Sequence, residues 1–284
     1  MSEPLPTLPG AEPPPELLAF DGLVSAPHPP ADFRELSIGV SHRLDPWRLT
    51  AYFDVAGEPT VVTRTAWERA SALAEFMGVP LPAVLESLLC DRLATNAALR
   101  QVAVGLDARD DPAASRMKLY VIFEGDASRP TASLCAALDA TPPDNAALAL
   151  THIVGIDLTR AGLHDVKLYY SLDLGRAHRI VRDPTRWTTL LRGATTLVYA
   201  HSLLTPRRSL HVRARDPELL WRELPRLAAP ALPRLHACLQ ALGCTPDRRG
   251  PLQPAFVALP WEDGALDPTR FTLYLHPRRA RLQR

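Results

Sequence analysis

The sequence predicts an α+β fold in which about ten antiparallel strands close into a barrel and an outer ring of helices surrounds it. Three observations support this fold. A strand-loop-strand unit recurs along the chain, its strands alternate apolar and polar residues, and segments with helical spacing lie between the units. Strands that are covered on one face only, with helices always on that face, are what a closed barrel with a helical shell requires.

The recurring unit is a hairpin, and two of its copies are closely similar. Residues 102–123 read VAVGLDARDDPAASRMKLYVIF, and residues 151–172 read THIVGIDLTRAGLHDVKLYYSL. Both contain V-G-(I/L)-D, a loop of similar length and K-L-Y. Weaker copies occupy residues 37–53, 197–215 and 256–276. Five such hairpins supply ten strands, which is enough for a lumen that side chains alone do not fill.

The returning strand of each hairpin has one apolar row and one row of basic and tyrosine residues. In the 151–172 unit, Val166 and Leu168 alternate with Lys167 and Tyr169. Carboxylates are nearly absent from these returning polar rows. Because a buried unpaired lysine is costly, we expect the apolar rows to face the helices and the basic rows to face a solvent-like lumen that binds an anion.

Segments with helical spacing follow the hairpins in order. We predict helices over residues 66–77, 81–99, 132–138, 145–149, 185–191, 218–227 and 232–242. Asp183-Pro184 and Asp216-Pro217 each combine an N-cap residue with proline at the first helical position. Gly243 ends the last helix.

The N-terminal segment differs in composition from the remainder of the chain. Residues 1–30 hold a dense cluster of prolines, which neither donate to a strand ladder nor continue a helix. We therefore interpret residues 1–30 as a Pro-rich arm and residues 31–284 as a single barrel domain. Within the arm, the apolar residues 17–20 could dock as a short helix.

The charge balance, 32 basic and 31 acidic residues, gives no electrostatic argument for a nucleic-acid or membrane partner. The N-terminus lacks the basic and apolar regions of a signal peptide, and no run of about 18 apolar residues is present. We therefore expect a cytoplasmic protein. The cysteines have no metal-ligand spacing and are expected to be buried thiols: Cys90, Cys135, Cys238 and Cys244.

The VGLD…RMKLYVIFEG and IVGID…VKLYY segments, with the order and spacing of all five hairpins, resemble the peptide prenyltransferases of cyanobactin-type pathways. These enzymes belong to the ABBA, or prenyltransferase-barrel, superfamily, and the resemblance runs from residue 33 to residue 277. It implies transfer of a prenyl group from an allylic diphosphate to a side chain of a ribosomally made, macrocyclic peptide. Dimethylallyl diphosphate is the favoured donor, and geranyl diphosphate stays open.

The resemblance and the basic rows together suggest which residues bind the donor. Diphosphate binding is assigned to Arg48, Lys118, Lys167 and Arg213. Phosphate capping and shielding of the allyl cation are assigned to Tyr52, Tyr120, Tyr169 and Tyr274. Asp110-Asp111 lacks the second aspartate pair of a metal-binding motif. We therefore expect no dedicated metal site, and Mg²⁺ only as an ion that the diphosphate carries.

Two departures from the family pattern affect the site. The arginine that contacts diphosphate on the first hairpin of relatives falls near Tyr52 here, which leaves Arg48 as its replacement. Gly39, in the acceptor pocket, replaces the glutamate that takes the acceptor's proton in relatives that alkylate tyrosine, and Glu35 or Asp107 could serve as the base instead. At the floor of the prenyl pocket, the resemblance places Tyr199 where bulk favours a five-carbon donor. It places Val257 where a smaller side chain opens the pocket.

Two other functions stay open at this point. The same barrel could be a small-aromatic prenyltransferase, for which a fuller lid over the lumen is expected. It could also be a catalytically degenerate peptide-binding module, because Gly39 lacks the base. Loss of the base in such a module should be accompanied by loss of the basic rows, and these rows persist.

Overall fold

The protein is represented by a computed structural model that describes residues 12–25, 31, 33–42, 44–55, 58–182, 186–228, 231–246, 250–262 and 265–278. Its strands are β1 (Phe33–Val40), β2 (Leu44–Asp54), β3 (Leu99–Asp107), β4 (Arg116–Phe123), β5 (Thr151–Thr159), β6 (Gly162–Leu172), β7 (Ala194–Ser202), β8 (Arg208–Ala214), β9 (Leu252–Glu262), β10 (Ala265–Leu266) and β11 (Phe271–Pro277). The two-residue β10 pairs only with β9.

The other ten strands form a closed antiparallel barrel. Their order is β9-β11-β1-β2-β3-β4-β5-β6-β7-β8, and β8 pairs back with β9. Each of the five predicted hairpins is present, and neighbouring hairpins pair with each other through antiparallel ladders. The predicted barrel is therefore confirmed, including its closure.

The helices are α1 (Pro15–Val24), α2 (Pro59–Met77), α3 (Val84–Ser87), α4 (Ser128–Ala137), α5 (Asn145–Leu150), α6 (Leu174–Ile180), α7 (Thr188–Arg192), α8 (Pro217–Leu227) and α9 (Leu232–Ala241). The predicted helix over residues 81–99 is shorter, because α3 continues as the π-helical turn Leu88–Leu93 and the chain then leaves the helix. Helix α6 was not predicted. Asp183 and Pro184, the predicted start of a helix, lie outside the described residues.

The main hydrophobic core lies between the barrel wall and the helices. The strand residues that face the helices, termed the outer row, are almost fully buried, as Phe53, Met117, Leu119, Ile156 and Leu168 show. The residues between them, termed the lumen row, point into the barrel and carry the polar groups. This arrangement follows the predicted alternation and leaves the lumen available for a ligand.

Part of the N-terminal segment packs against the barrel's helical layer. In α1, Leu17, Phe20 and Val24 are buried against the core, and Asp21 accepts a hydrogen bond of 2.6 Å from Arg34. The prolines of the predicted arm at positions 4, 6, 9, 27, 29 and 30 lie outside the described residues. Residues 15–24 are thus a docked helix rather than a free arm.

The four cysteines are free and buried. Burial raises the pKa of the Cys135 and Cys238 thiols to about 11, which is the behaviour expected of inert core residues. None of the described helices is both long and apolar enough to cross a membrane.

Candidate active site

A cavity of about 1210 Å³ lies inside the barrel and reaches the surface at the end formed by the hairpin loops. Exposed loop residues form part of its rim, including Asp110, Asp111, Pro206 and Arg207. Eight Lys or Arg and six Asp or Glu side chains line it among the described residues. The lumen is therefore polar, as the sequence predicts, but it contains more carboxylates than the returning strands alone indicate.

Asp107, on the lumen row of β3, is shared by three cations. Its Oδ2 atom lies 2.7 Å from Arg48 Nη2, 3.1 Å from Arg109 Nη2 and 3.6 Å from Lys118 Nζ. Burial opposes its ionisation, but Arg48, Lys118 and Arg109 together lower the pKa of this carboxyl well below its usual range. Asp107 is thus a fixed anion held by three cations, and its lowered pKa makes it too weak a base to deprotonate a phenol.

Lys167 is paired differently, because two carboxylates face a single cation. Its ammonium forms a short contact with Asp157, and Asp165 Oδ2 lies 3.9 Å away. Asp157 and Asp165 are almost fully buried. Asp107 and Asp157 are the aspartates of the repeated V-G-(I/L)-D motif on the outgoing strands, whereas Asp165 belongs to the returning strand β6.

The positive charge of Lys118 is less fully neutralised by carboxylates than that of Lys167. Burial and repulsion from Arg48 lower the pKa of its ammonium to about 8, although Asp107 and Asp157 act in the opposite direction. An anion bound beside Lys118 would replace lost solvation and favour the charged ammonium. Because three cations also share the single carboxylate of Asp107, the site favours an anion at this position.

Two glycines of the lumen row allow bulky groups to approach the strands. A Cβ atom at Gly155 would lie 3.0 Å from Tyr169 and 3.2 Å from Tyr120. A Cβ atom at Gly39 would lie 3.4 Å from Arg48 Nη1 and 3.3 Å from Asp45 Cβ. The space at Gly39, which the sequence assigned to the acceptor pocket, is therefore partly occupied by the Arg48 side chain.

Three tyrosines in the cavity wall form what we term the tyrosine belt: Tyr120, Tyr169 and Tyr274. The ring centroids of Tyr120 and Tyr169 are 6.2 Å apart, and His211 lies 5.5 Å from Tyr169 and 5.9 Å from Tyr274. Burial raises the pKa of all three phenols, so they are neutral hydrogen-bond donors. The belt lies directly beside the cations, because Lys118 and Lys167 are two residues from Tyr120 and Tyr169.

Tyr52 and Glu35 lie in the lumen but do not line the cavity. The Tyr52 hydroxyl donates to Glu35 Oε1 at 3.1 Å, and its ring stacks on Phe33 with centroids 4.6 Å apart. Glu35 Oε2 lies 2.6 Å from His276 Nε2. This cluster lies toward the barrel end opposite the hairpin loops, which separates Glu35 from a ligand in the cavity.

Three assigned residues lie elsewhere than the resemblance suggested. Tyr199 pairs with Tyr170 and Leu210 and belongs to the outer row, as does the fully buried Val257. Neither residue forms the floor of a pocket, because both point away from the lumen. The residues next to them on the same strands point into it. Arg213 faces the lumen but is exposed, does not line the cavity and stacks on Phe256 at 5.2 Å.

The cavity residues that the sequence reasoning did not assign to the site include Arg109, Arg116 and His211. Arg116 shares the lumen row of β4 with Lys118, and among described residues no carboxylate lies within ion-pair distance of it. Burial lowers its pKa, and Arg207 adds to that effect by repulsion. The alternation of β4 could have identified Arg116, whereas Arg109 lies in a loop that has no such pattern.

The two lysines of the cavity are the only lysines in the chain. Every other side chain that is always cationic is an arginine. Lysine differs from arginine because it is a compact point charge whose pKa responds to burial. The positions of the two lysines therefore indicate the site from the sequence alone.

The carboxylates of the cavity do not fit a resident Mg²⁺. Asp107 and Asp157 are held by buried cations, and Asp111 accepts a hydrogen bond from the Ala113 amide. Over the described residues, no group of three or more His, Cys, Asp or Glu side chains is arranged to hold a metal ion.

The architecture is that of the ABBA barrel, a closed ring of ten antiparallel strands with helices outside. It is shared with 5-dimethylallyltryptophan synthase from Streptomyces coelicolor, with a TM-score of 0.61 and 19% identity over 85% of this chain and 80% of that chain. AnaPT from Neosartorya fischeri gives a TM-score of 0.56 and 16% identity over 86% of this chain and 78% of that chain. No protein-family profile and no curated protein matches the sequence.

Proposed function

We propose that the protein transfers a prenyl group from an allylic diphosphate to an acceptor bound in the same cavity. The observation that carries this proposal is that half-buried cations and neutral tyrosines line one cavity inside a closed barrel: Arg48, Lys118, Lys167, Tyr120, Tyr169 and Tyr274. The fold shared with 5-dimethylallyltryptophan synthase supports it.

The cations stabilise the pyrophosphate leaving group. When the carbon–oxygen bond of the donor breaks, negative charge grows on the diphosphate oxygens, and fixed cations in a buried site stabilise that charge strongly. Lys118 and Arg48 lie together at Asp107, and Arg116 has no carboxylate partner among described residues. These three side chains are the proposed diphosphate ligands. Any Mg²⁺ would arrive with the diphosphate.

The tyrosine belt stabilises the allyl cation that forms on the carbon side of the same bond. Ring faces stabilise a neighbouring cation, and neutral hydroxyls donate to phosphate oxygens without adding negative charge. The cavity of about 1210 Å³ exceeds the ~300–1,000 Å³ of a typical single-ligand pocket. It therefore has room for a donor and for part of an acceptor. Because Tyr199 and Val257 do not face the lumen, five- and ten-carbon donors are both retained.

The acceptor is proposed to be an aromatic side chain of a peptide, which enters through the open end. The support is a rim of exposed charged loop residues, including Asp110, Asp111 and Arg207, without a covering lid among the described residues. A free aromatic amino acid is the second candidate, favoured by the name of the Streptomyces coelicolor structure. A binding-only module is disfavoured because the buried cation network is intact.

The test is incubation with dimethylallyl or geranyl diphosphate and two acceptor sets. One set is free tryptophan and tyrosine, and the other is cyclic peptides that present either residue. Mass spectrometry should show one prenyl addition, lost in Lys118→Ala and kept in Arg64→Ala, a matched removal of an exposed cation on α2. Absence of donor binding in calorimetry would refute prenyl transfer, whereas donor binding without product would refute the proposed acceptors.

A further inference from the structure

His211 is a half-buried imidazole in the cavity wall, and the donor-binding role gives it no task. It lies on the lumen row of β8, between Tyr169 of β6 and Tyr274 of β11. Its Nε2 atom lies 3.0 Å from Ser209 Oγ, and Ser209 also lines the cavity, two residues nearer to the hairpin loops. Nδ1 hydrogen-bonds no described residue. One ring nitrogen is therefore engaged and the other is available to a ligand.

The charges around His211 keep the imidazole neutral. Burial lowers its pKa to about 3, and Lys167 of β6 and Lys118 of β4 add to that effect by repulsion. The hydroxyls of Tyr169 and Tyr274 face the same space but are themselves neutral. His211 thus presents an unprotonated nitrogen at physiological pH, when Nε2–H donates to Ser209.

Other proton acceptors of the cavity wall are already occupied. Asp107, Asp157 and Asp45 form ion pairs with Arg48, Lys167 and Arg109, respectively. Glu262 pairs with Arg270 at the rim. Glu35 lies outside the cavity, hydrogen-bonded to Tyr52. Of the carboxylates that line the cavity in the described part of the chain, the exposed Asp110 and Asp111 remain, and they belong to a loop at the rim rather than to the tyrosine belt.

We propose that His211 Nδ1 accepts the proton that an aromatic ring carbon loses after prenylation, and that Ser209 conducts the proton toward the cavity opening. This inference rests on the proposed prenyl transfer and identifies both the proton acceptor and the acceptor class. His211 lies among the tyrosines that would enclose the allyl cation, so a ring stacked on that cation would lie beside Nδ1.

The electrons and protons balance without another reactant. The carbon–oxygen bond of the donor breaks, and its electron pair leaves with pyrophosphate. A π pair of the acceptor ring forms the new carbon–carbon bond and leaves a cationic ring. The C–H pair at the substituted carbon then restores aromaticity, the proton goes to Nδ1, and the Nε2 proton passes to Ser209 Oγ as the serine proton moves to water.

The weakness of this base defines the acceptor class. A cationic ring intermediate is a strong acid and gives its proton to a weakly basic imidazole, whereas a phenol or an amide does not. His211 therefore suits alkylation at an aromatic carbon. Alkylation at a phenol oxygen does not fit His211 as the proton acceptor, because the phenol must lose its proton to a stronger base before attack.

The kinetic test compares His211→Phe and His211→Gln with His201→Gln, which removes an imidazole of the neighbouring strand β7 outside the cavity wall. Ring-deuterated tryptophan, free and in a cyclic peptide, is the acceptor. Both His211 variants should bind donor within about twofold but lose roughly 100-fold in formation of the prenylated acceptor. They should still release pyrophosphate, because water captures the allyl cation and forms the prenyl alcohol. A ring-deuterium isotope effect should emerge in these variants only.

Unchanged product formation without an isotope effect in His211→Phe would overturn the proposal. Equal loss of donor binding would also overturn it, because His211 would then belong to the donor site. NMR of histidine-labelled wild-type protein needs no acceptor: His211 should carry its proton on Nε2 and not titrate between pH 5 and 8. Ordinary titration or an Nδ1–H tautomer would refute the proton-acceptor role, whereas failure of the wild type to bind any donor would refute prenyl transfer itself.

Discussion

The β3–β4 and β5–β6 hairpins carry the same motif and the same row positions, yet their lysines have opposite surroundings. In the first hairpin, one carboxylate, Asp107, faces Lys118, Arg48 and Arg109. In the second, two carboxylates, Asp157 and Asp165, form their ion pairs among the described residues with Lys167 only. The repeat therefore fixes where a lysine stands, but its neighbours decide how much positive charge is left for a ligand.

This difference divides the cavity into two halves with separate tasks. The β3–β4 half has surplus positive charge, enlarged by Arg116, and is the side on which a diphosphate gains most. In the β5–β6 half, Lys167 neutralises buried carboxylates, which is a structural task. Removal of one partner of a buried pair leaves an uncompensated charge, whereas a shared carboxylate keeps its other partners.

The largest expected effect is on stability and comes from the β5–β6 hairpin. Lys167→Ala leaves Asp157, which is 1% exposed, without its ion-pair partner, so we expect the free energy of unfolding to fall by about 3 kcal/mol. Urea denaturation measures it. Lys118→Ala is the matched control and should change stability by less than about 1 kcal/mol, because Asp107 keeps Arg48 and Arg109. Equal losses in both variants would erase the distinction between the hairpins.

The second effect is on donor binding. Here the loss should be larger for the Lys118 variant than for the Lys167 variant, the reverse of their effects on stability. A charge-assisted hydrogen bond to an anion contributes about 1.5–3 kcal/mol, so Lys118→Ala should weaken binding of a non-ionising thio-analogue of the donor roughly 10- to 100-fold. Calorimetry measures the dissociation constant. For a comparison between folded proteins, Lys118→Met and Lys167→Met are examined at equal folded fractions. A greater loss in Lys167→Met would exchange the roles of the two halves.

The third effect is a pH dependence of donor affinity. The pKa of Lys118 is about 8 in the free protein, and a bound diphosphate raises it. Donor binding therefore takes up a proton above pH 8, so affinity should fall as pH rises, by at most about tenfold per unit until the pKa of the complex is reached. Below pH 8 this group is charged in both states and contributes no dependence. Lys118→Arg should remove the decline.

The pKa of Lys118 is directly measurable because the chain has only two lysines. NMR of lysine-labelled protein should show two side-chain signals, which Lys118→Arg assigns. An ordinary pKa near 10.4 for Lys118 would contradict the surplus of positive charge in the β3–β4 half.

The fold was predictable because the returning strands contrast strongly between their two faces. In β4, Met117, Leu119 and Val121 can only face the helices when Lys118 and Tyr120 face the lumen. The pairing of the charges was harder to predict from the sequence, because it depends on which outgoing strand lies beside which lysine. The aspartate of V-G-(I/L)-D was visible in both copies, but its position opposite the cations follows only from the barrel register.

The errors occur where this contrast is absent. In β7, Leu197 and Tyr199 alternate with Val198 and Ala200, so both rows are apolar and the pattern does not show which faces the lumen. In β9, Phe256 and Val257 pose the same ambiguity. The resemblance then selected the wrong row at both positions, and only the pairing partners correct it.

The smallest expected effect tests that correction. Tyr199 lies on the outer row and packs on the rings of Tyr170 and Trp261, with centroids 5.1 and 5.2 Å away, and of these two rings Trp261 also lines the cavity. Tyr199→Phe keeps those ring contacts, so the ratio of dimethylallyl to geranyl transfer should stay within about twofold, and stability within about 0.5 kcal/mol. Ala200→Leu, one residue along on the cavity wall, is the matched change and should disfavour the longer donor because it fills space in the lumen. If Tyr199→Phe alone changed the ratio, the fourth hairpin would have the opposite register, and the division of charge between the lumen halves would need to be redrawn from β7 onward.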